Sequence, residues 1–181
     1  MSSAALEPLA QVTAFLNRRH TSFIDGAPVA EHAGEVVEVF NPATGAPLSQ
    51  LLMGGEAQVE QAVASAHRAF RSGVWSGLRP ADRERILLRF AEVVEAHAEE
   101  LAQLETLNQG KSIHIARAIE VGASVEYMRY MAGWATKLEG QTLDVSIAVP
   151  PGTRYNASTR REPVGVVAGI VPWNFPLMIA I

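Results

Sequence analysis

The side chains that usually act as nucleophiles or metal ligands form no recognisable site in this chain of 181 residues. It contains no cysteine, so it has no thiolate nucleophile and can form no disulfide. Its serine, threonine and lysine residues stand in no motif that includes an activating base. The histidines, at positions 20, 32, 67, 97 and 114, lack the spacing of metal ligands. The sequence therefore predicts no metal site and no complete nucleophilic site.

One amide side chain interrupts the apolar carboxyl-terminal segment: Asn174, in the run Pro172-Trp173-Asn174-Phe175-Pro176. Its neighbours alone favour a helix N-cap. The side-chain oxygen of Asn174 can accept a backbone N–H, and Pro176 is tolerated in a first helical turn. The same local context favours a packed strand end for the residues before Asn174 and a core position for Phe175.

Apolar periodicity and turn residues predict the elements that must position this segment. Helices are predicted at residues 6–19, 56–71, 80–97, 98–109 and 115–138. Strands are predicted at residues 35–40, 48–53, 142–147, 154–161 and 164–171, after a hairpin over 23–29. A further helix is expected to begin after Asn174. Asn174 would then lie at the carboxyl end of the last strand, where open α/β sheets bind ligands.

Strands mixed with helices, and a buried apolar strand at residues 164–171, predict an α/β fold. The hairpin, with Asp25-Gly26 supplying a positive φ, is expected to form a small antiparallel edge together with the strands at 35–40 and 48–53. The helix at 115–138 is apolar around most of its circumference, which predicts burial between a sheet and a second layer or chain. The main sheet would be barely begun, so we expect an incomplete fold.

Composition and charge exclude several classes of protein. A chain with 48% hydrophobic and 19% charged residues is not disordered. A net charge of -4 and a pI near 5.7 argue against nucleic acid or an anionic membrane as a partner. The amino terminus lacks the basic start of a signal peptide, and the absence of cysteine suits a reducing compartment, so we expect a cytoplasmic protein. Residues 164–181 are uncharged, but Pro172, Asn174 and Pro176 argue against a membrane span.

The segment Arg161–Ile181, REPVGVVAGIVPWNFPLMIAI, resembles the NAD(P)-dependent aldehyde dehydrogenases, in which an E-P-x-G-V run leads into P-W-N-F-P. Three upstream pieces resemble family landmarks in the expected order: Asn41-Pro-Ala-Thr-Gly45, Glu105-Thr-Leu-Asn-Gln-Gly-Lys111 and Arg129-Tyr-Met-Ala-Gly-Trp134. Each piece is weak alone, but together they extend the resemblance over nearly all of the chain beyond Phe23. Within the family, the sequence is similar to bacterial members that act on arylacetaldehydes of the phenylacetaldehyde type.

The resemblance implies a catalytic role for Asn174, whose side-chain N–H would donate to the oxyanion formed when a thiolate adds to an aldehyde. An amide suits this task because it donates without being ionised, and a helix start favours nearby negative charge. The resemblance also assigns Phe175 to the aldehyde tunnel. It implies a wall for the ribose and nicotinamide half of the cofactor, made by Ile170, Val171, Pro172 and Trp173.

The resemblance further implies oxidation of an aldehyde to its carboxylic acid, with NAD, or NADP, as the acceptor. It implies an amino-terminal part of the Rossmann-like cofactor-binding domain at residues 1–137, an oligomerisation strand pair at 138–161, and a return strand with the start of the active-site helix at 162–181. Family members form homo-oligomers, dimers or tetramers. Asn108 stands where many members carry an acid, so no monovalent-cation site is carried over.

Family members run to several hundred residues and place their nucleophilic Cys and general-base Glu beyond the matching segment. We therefore expect this chain to be a fragment of such an enzyme. The alternative is a short non-catalytic protein that binds a full-length subunit through the strand pair at 138–161. The residues that distinguish NAD from NADP are expected to lie further along than residue 181.

The 181-residue chain by itself is predicted to have no dehydrogenase activity, because it lacks a thiol and carries no other nucleophile with a recognisable base. The measurement is aldehyde-dependent reduction of NAD+ or NADP+ by the purified chain, with a host extract lacking it as the control. Turnover that copurifies with the chain and is absent from the control would contradict the prediction.

Overall fold

The computed structural model describes residues 6–30 and 34–181. Its helices are α1 (Ala10–Leu16), α2 (Glu56–Ser72), α3 (Pro80–Ala96), α4 (Ala98–Gln109), α5 (Ile113–Ile115), α6 (Ala123–Ala132) and α7 (Pro176–Ala180). Its strands are β1 (Arg19–His20), β2 (Phe23–Ile24), β3 (Ala27–Pro28), β4 (Val36–Phe40), β5 (Pro47–Leu52), β6 (Thr142–Leu143) and β7 (Ala157–Ser158). A π-helix, Ala116–Gly122, joins α5 to α6, and a 3-10 helix, Gly133–Thr136, follows α6. Residues 113–136 thus form one continuous helix, called the long helix below.

Strand β5 is the centre of a three-stranded sheet in the order β1-β5-β4. Strand β4 runs antiparallel to β5, with Val37 opposite Leu51, and β1 runs parallel to β5, with Arg19 opposite Gln50. The strands predicted at 35–40 and 48–53 are confirmed to within one residue at each end. The helix predicted at 6–19 is wrong at both ends. Its last residue, Arg19, pairs with β5 instead, a long-range backbone partner that helical periodicity cannot reveal.

The predicted hairpin is confirmed as β2 and β3, with Phe23 opposite Pro28. Its turn places Asp25 at a φ of 58° and Gly26 at 79°, the left-handed conformation that tight hairpin turns require. The expected common edge with the strands at 35–40 and 48–53 is wrong, because β2 and β3 form a separate two-stranded sheet.

Helices α2, α3 and α4 confirm the predictions at 56–71, 80–97 and 98–109 to within one residue. Pro80 occupies the first turn of α3, where its missing N–H costs no hydrogen bond. Gly73 and Gly110 follow α2 and α4 with φ of 74° and 81°, so each helix ends at a glycine in the left-handed region.

The core lies where α3 and α4 pack against the long helix. Small side chains let these helices approach closely, and Val and Met fill the space between them. The fully or nearly buried members are Ala91, Val94, Ala102, Ala116, Val121, Val125 and Met128. Leu177 and Ile181 pack against the same cluster from the carboxyl terminus, so α7 is attached to the core through this contact.

The long helix differs from its prediction in burial and in geometry. One face is buried, but Ile115, Ile119 and Trp134 are each more than 40% exposed. No layer within the described residues covers the second face, so its burial against a further layer or a partner chain stays a prediction. The π-helix inside the long helix was not predicted, since apolar periodicity does not distinguish it from an α-helix.

The strand pair predicted at 142–147 and 154–161 is confirmed only in part. Strands β6 and β7 pair antiparallel over two residues each, with Thr142 opposite Ser158. Ile147 and Val149 lie beyond this pairing and are 52% and 73% exposed. A longer ladder would require hydrogen-bond partners that the two segments do not offer each other.

The strand predicted at 164–171 is wrong. This segment forms neither helix nor strand, and no strand of residues 6–30 or 34–181 lies alongside to supply the hydrogen bonds of a ladder. Its apolar side chains are not buried either, since Val164 is 90% and Ile170 fully exposed. Across the described ranges, no helix has the length and apolarity needed to cross a bilayer.

These exposed apolar side chains predict that the chain self-associates and binds hydrophobic dyes. Replacing Val164 and Ile170 together by Ser should lower dye binding without lowering the melting temperature, because neither side chain is buried. Val125→Ser is the control. It removes a core side chain that is 3% exposed and should destabilise the fold by about 2 kcal/mol or more. A monodisperse chain that binds no dye would contradict the prediction.

Candidate active site

The backbone around Asn174 is held by side chains of α4, of the loop after α4, and of the π-helix. Residues 170–174 themselves are exposed and contain no helix or strand. Four side chains make the attachment, and none of the four was predicted as a site residue: Glu105, Gln109, Lys111 and Glu120. Gln109 and Glu120 bind the segment directly, although more than fifty residues of sequence separate each from it. Glu105 binds Gln109, and Lys111 binds Glu120.

The carboxylate of Glu120 caps helix α7. Its Oε1 accepts hydrogen bonds from the backbone N–H of Leu177 at 2.8 Å and of Met178 at 3.2 Å. These groups lie in the first turn of α7, where a helix has no internal acceptors for its N–H groups. Glu120 is 1% exposed, so the cap is buried and its charge is not screened by water.

Lys111 neutralises this buried carboxylate. Its Nζ lies 2.7 Å from Oε2 of Glu120 and 2.9 Å from Oε1 of Glu105, and the three side chains are 9%, 1% and 11% exposed. Burial disfavours the charged ammonium, but hydrogen bonds to Glu120 and Glu105 outweigh it and raise the pKa of Lys111. Lys111 is therefore a cation at neutral pH and bridges two carboxylates.

The ammonium of Lys111 also lies 4.0 Å from the centroid of the Phe175 ring, a cation–π distance. The Phe175 side chain is partly buried, so it is neither a core residue nor fully exposed to solvent. The structure thus places Phe175 beside the charged cluster. Its predicted place in an aldehyde tunnel stays a prediction.

Gln109 holds the backbone on the other side of Asn174. Its Nε2 donates to the Asn174 carbonyl oxygen at 3.0 Å and, at a longer 3.4 Å, to that of Trp173. The same nitrogen donates to Oε1 of Glu105 at 2.6 Å, so Gln109 belongs to the cluster around Lys111. The peptide groups on both sides of the Asn174 Cα therefore connect to the network around Lys111.

The helix N-cap interpretation of Asn174 is wrong. Phe175 occupies the N-cap position of α7 with no side-chain cap hydrogen bond, and Glu120 performs the capping instead. The Asn174 side chain is exposed, and within residues 6–30 and 34–181 its amide makes no hydrogen bond. Its N–H groups are consequently available to a ligand.

The four residues predicted to form a cofactor wall lie directly before Asn174 on the surface. Ile170 and Trp173 are 101% and 77% exposed, Val171 is 38% exposed, and Pro172 is exposed as well. The structure thus brings these residues and Asn174 onto one exposed apolar strip. A role in binding a cofactor stays a prediction.

Sequence reasoning missed Glu120, although a signal was present. Glu120 is a lone carboxylate in the apolar stretch between Ile115 and Val125, where a buried charge needs a partner. Glu105 and Lys111 were noticed only as family landmarks. No group of three or more His, Asp or Glu in the described parts of the chain is arranged to hold a metal ion.

A cavity of about 320 Å³ lies between the sheet and α4. Its lining is mainly apolar and includes Phe15, Leu51 and Leu104, together with the acids Glu105 and Glu120. The carboxylates there are already occupied by Lys111 and by α7, so the cavity adds no free acid to the candidate site.

Lys111→Met is predicted to destabilise the protein by about 3–5 kcal/mol at neutral pH, because two carboxylates would stay buried without their cation. Since the pKa of Lys111 is raised, its stabilisation is complete below the unfolded value of about 10.4 and is lost as pH rises through the folded value. Urea unfolding of wild type and variant should therefore differ at neutral pH and converge at strongly alkaline pH.

The control for this variant is Arg117→Met, which removes a more exposed ion pair with Glu99 at 2.6 Å. Exposed pairs contribute about 0–1 kcal/mol, so this variant should cost less than Lys111→Met. Equal losses for the two variants would contradict the assignment of Lys111 as the stabilising cation.

Comparison with known proteins connects this arrangement to one family. Residues 29–181 match the model of the aldehyde dehydrogenase family. Phenylacetaldehyde dehydrogenase from Pseudomonas fluorescens is 51% identical over 162 residues, which are 90% of this chain and 32% of that protein.

Solved structures agree with the sequence match. An NAD+ complex of an aldehyde dehydrogenase from Bacillus cereus superposes with a TM-score of 0.87 at 41% identity, over 96% of this chain and 34% of that one. A mutant of the P. syringae AldA indole-3-acetaldehyde dehydrogenase, in complex with NAD+ and IAA, gives 0.82 at 37% identity, over 94% and 33%. The chain spans about a third of the length of these relatives. It has the aldehyde dehydrogenase fold in its mixed helices and strands, and it belongs to the aldehyde dehydrogenase family.

Proposed function

We propose that this chain is part of an NAD-dependent aldehyde dehydrogenase in which Asn174 stabilises the oxyanion of the reaction. The observation that carries the proposal is the state of the Asn174 amide. Gln109 binds the Asn174 backbone, and Glu120 caps helix α7 in place of Asn174. The Asn174 side chain is exposed and makes no hydrogen bond within the described residues. An amide in that state can donate to a ligand without first breaking a hydrogen bond.

The reaction we propose is oxidation of an aldehyde to a carboxylic acid. A cysteine thiolate adds to the carbonyl carbon, and the carbonyl oxygen becomes an oxyanion. That thiolate and the base that activates water must come from residues outside this segment, since the segment has no cysteine. The contribution of Asn174 is a neutral N–H donor aimed at charge that exists only after the attack, and such donors supply about 3–4 kcal/mol of barrier lowering.

The cofactor we propose is NAD, with NADP as the alternative, and it accepts the hydride when bound. Two observations support the strip Ile170–Trp173 as the surface that binds the ribose and nicotinamide half of that cofactor. Its apolar side chains are exposed beside Asn174, and its backbone belongs to no helix or strand within the described residues, so N–H and C=O groups are available to a ligand. Val171 and Pro172 would contribute mainly backbone contacts to this wall.

The substrate class we propose is an arylacetaldehyde. A relative that is 51% identical carries the name phenylacetaldehyde dehydrogenase, and an indole-3-acetaldehyde dehydrogenase is among the structural neighbours. Both names describe an aldehyde one carbon away from an aromatic ring. Phe175, partly exposed next to Asn174, would line the path of such an aldehyde by apolar and ring contacts.

The assembly we propose is a homo-oligomer, a dimer or tetramer, in which residues 138–161 extend onto a partner subunit. Strands β6 and β7 pair over only two residues each, and the exposed Ile147 and Val149 lie beyond that pairing. The same surface supports the second candidate, a non-catalytic protein that binds a full-length subunit through this strand pair. We place the enzyme in the cytoplasm, where thiols stay reduced.

Asn174→Ala in the enzyme that contains this segment is predicted to lower kcat by about a hundredfold to a thousandfold. The affinity for NAD+ should be nearly unchanged, because the amide meets charge that is absent from the ground state. The melting temperature should also be unchanged, since the side chain caps no helix. Steady-state kinetics, cofactor titration and a thermal melt on one variant measure all three.

The control is Asn17→Ala, which removes an exposed amide at the end of α1, far from Asn174 in sequence and outside the candidate site. Its kcat should match the wild type. An unchanged kcat in Asn174→Ala would retire the oxyanion role. A wild-type enzyme that oxidises no aldehyde would overturn the proposed function as a whole.

A further inference from the structure

We propose that Glu120 and Lys111 are positioning residues that set the place of the Asn174 amide through helix α7, an inference that rests on the proposed function. Glu120 is 1% exposed, and Lys111, 9% exposed, approaches the proposed binding surface only through the ring of Phe175. Their effect on the reaction would therefore pass through the backbone of residues 173–178.

The first step of the argument is that α7 cannot hold its own position. It has five residues, and isolated helices of that length are not stable, because the first turn costs more entropy than its hydrogen bonds return. Its N–H groups at Leu177 and Met178 are bound by Glu120, and Leu177, with Ile181 directly after the helix, packs against the core. The start of α7, and with it Asn174, is therefore located by Glu120.

The second step is that the attachment is made on both sides of Asn174. Gln109 binds the Asn174 carbonyl oxygen at 3.0 Å, and Glu120 binds the N–H groups three and four residues later. The two anchors are linked, because Gln109 donates to Glu105 and Lys111 joins Glu105 to Glu120. One network thus limits how far the Asn174 backbone can shift or rotate.

The third step is that the Glu120 side chain must be a charged carboxylate to hold α7 in place. A carboxylate forms shorter and stronger hydrogen bonds with backbone N–H groups than a neutral acceptor does. A carboxylate that is 1% exposed would be costly without a cation, and Lys111 supplies that cation at 2.7 Å. Lys111 also contacts the Phe175 ring, so the ammonium binds this turn directly at Phe175 and, through Glu120, at Leu177 and Met178.

The fourth step is that the rate of the reaction depends strongly on the position of the Asn174 amide. An oxyanion donor acts when it lies about 2.7–3.1 Å from the charge it stabilises. A misplacement of about 1 Å at a catalytic group can cost about a hundredfold in rate. A network that controls residues on both sides of Asn174 therefore controls the rate without contacting the substrate.

The experiment is a double-mutant cycle in the enzyme that contains this segment, with Glu120→Gln and Asn174→Ala made singly and together. Glu120→Gln keeps the size of the side chain and removes its charge, and Lys111 keeps Glu105 as a partner. We expect kcat to fall about tenfold or more, with little change in the affinity for NAD+. In the Asn174→Ala background the same change should lower kcat by less than about twofold, because coupled residues are not additive.

The matched control is Arg117→Gln, three residues before Glu120 in the same π-helix. Arg117 forms a two-point ion pair with Glu99 at 2.6 and 2.7 Å and has no hydrogen bond or ion pair with residues 173–178. Its kcat should equal the wild type. Hydrogen exchange gives a readout independent of activity: Glu120→Gln should speed exchange of the Leu177 and Met178 amides, and Arg117→Gln should not.

Gln109→Met extends the test if Glu120→Gln does not fold. It removes the donor to the Asn174 carbonyl without creating or burying a charge, and it should also lower kcat in the wild-type background and not in Asn174→Ala. Losses that add in the double variants, or an effect of Glu120→Gln no larger than that of Arg117→Gln, would overturn the positioning role alone. An unchanged kcat in Asn174→Ala would overturn both this role and the oxyanion role.

Discussion

The contact between the Glu120 carboxylate and the first N–H groups of α7 determines how the candidate site is arranged. It joins two parts of the chain that are 57 residues apart, at 2.8 Å and almost without solvent. The other contacts of the site connect to it. Lys111 is needed to neutralise the carboxylate, Glu105 to share the ammonium, and Gln109 to connect that group to the backbone of Asn174.

A buried ion pair is weak evidence of stability, because the cost of removing two charges from water can exceed their attraction. Its value in this protein lies in specificity of geometry. An apolar contact would hold α7 against the core equally well in several registers, whereas a carboxylate bound to two named N–H groups selects one. That selection bears on the oxyanion role proposed for Asn174, because an amide stabilises an anion only from a narrow range of positions.

The exposed apolar surface has a separate cause, which is that some apolar segments meet no second packing surface within the described residues. The core formed by α3, α4 and the long helix uses one face of the long helix, and leaves Ile119 and Trp134 more than 40% exposed. The strip Ile170–Trp173 is exposed to a similar or greater degree. Apolar composition predicted burial for both, but burial needs a second surface, and the described residues supply none.

The sequence by itself determined the helices α2, α3 and α4, the hairpin turn at Asp25-Gly26, and the family, because each depends on periodicity, on turn residues or on a local motif. Only the tertiary structure decided the strand character of Arg19, the absence of a strand at 164–171, and the capping of α7 by Glu120 instead of Asn174. Each of these depends on which backbone group meets which partner across the fold. A local pattern names the donors and acceptors of a segment, whereas long-range packing chooses the partners that satisfy them.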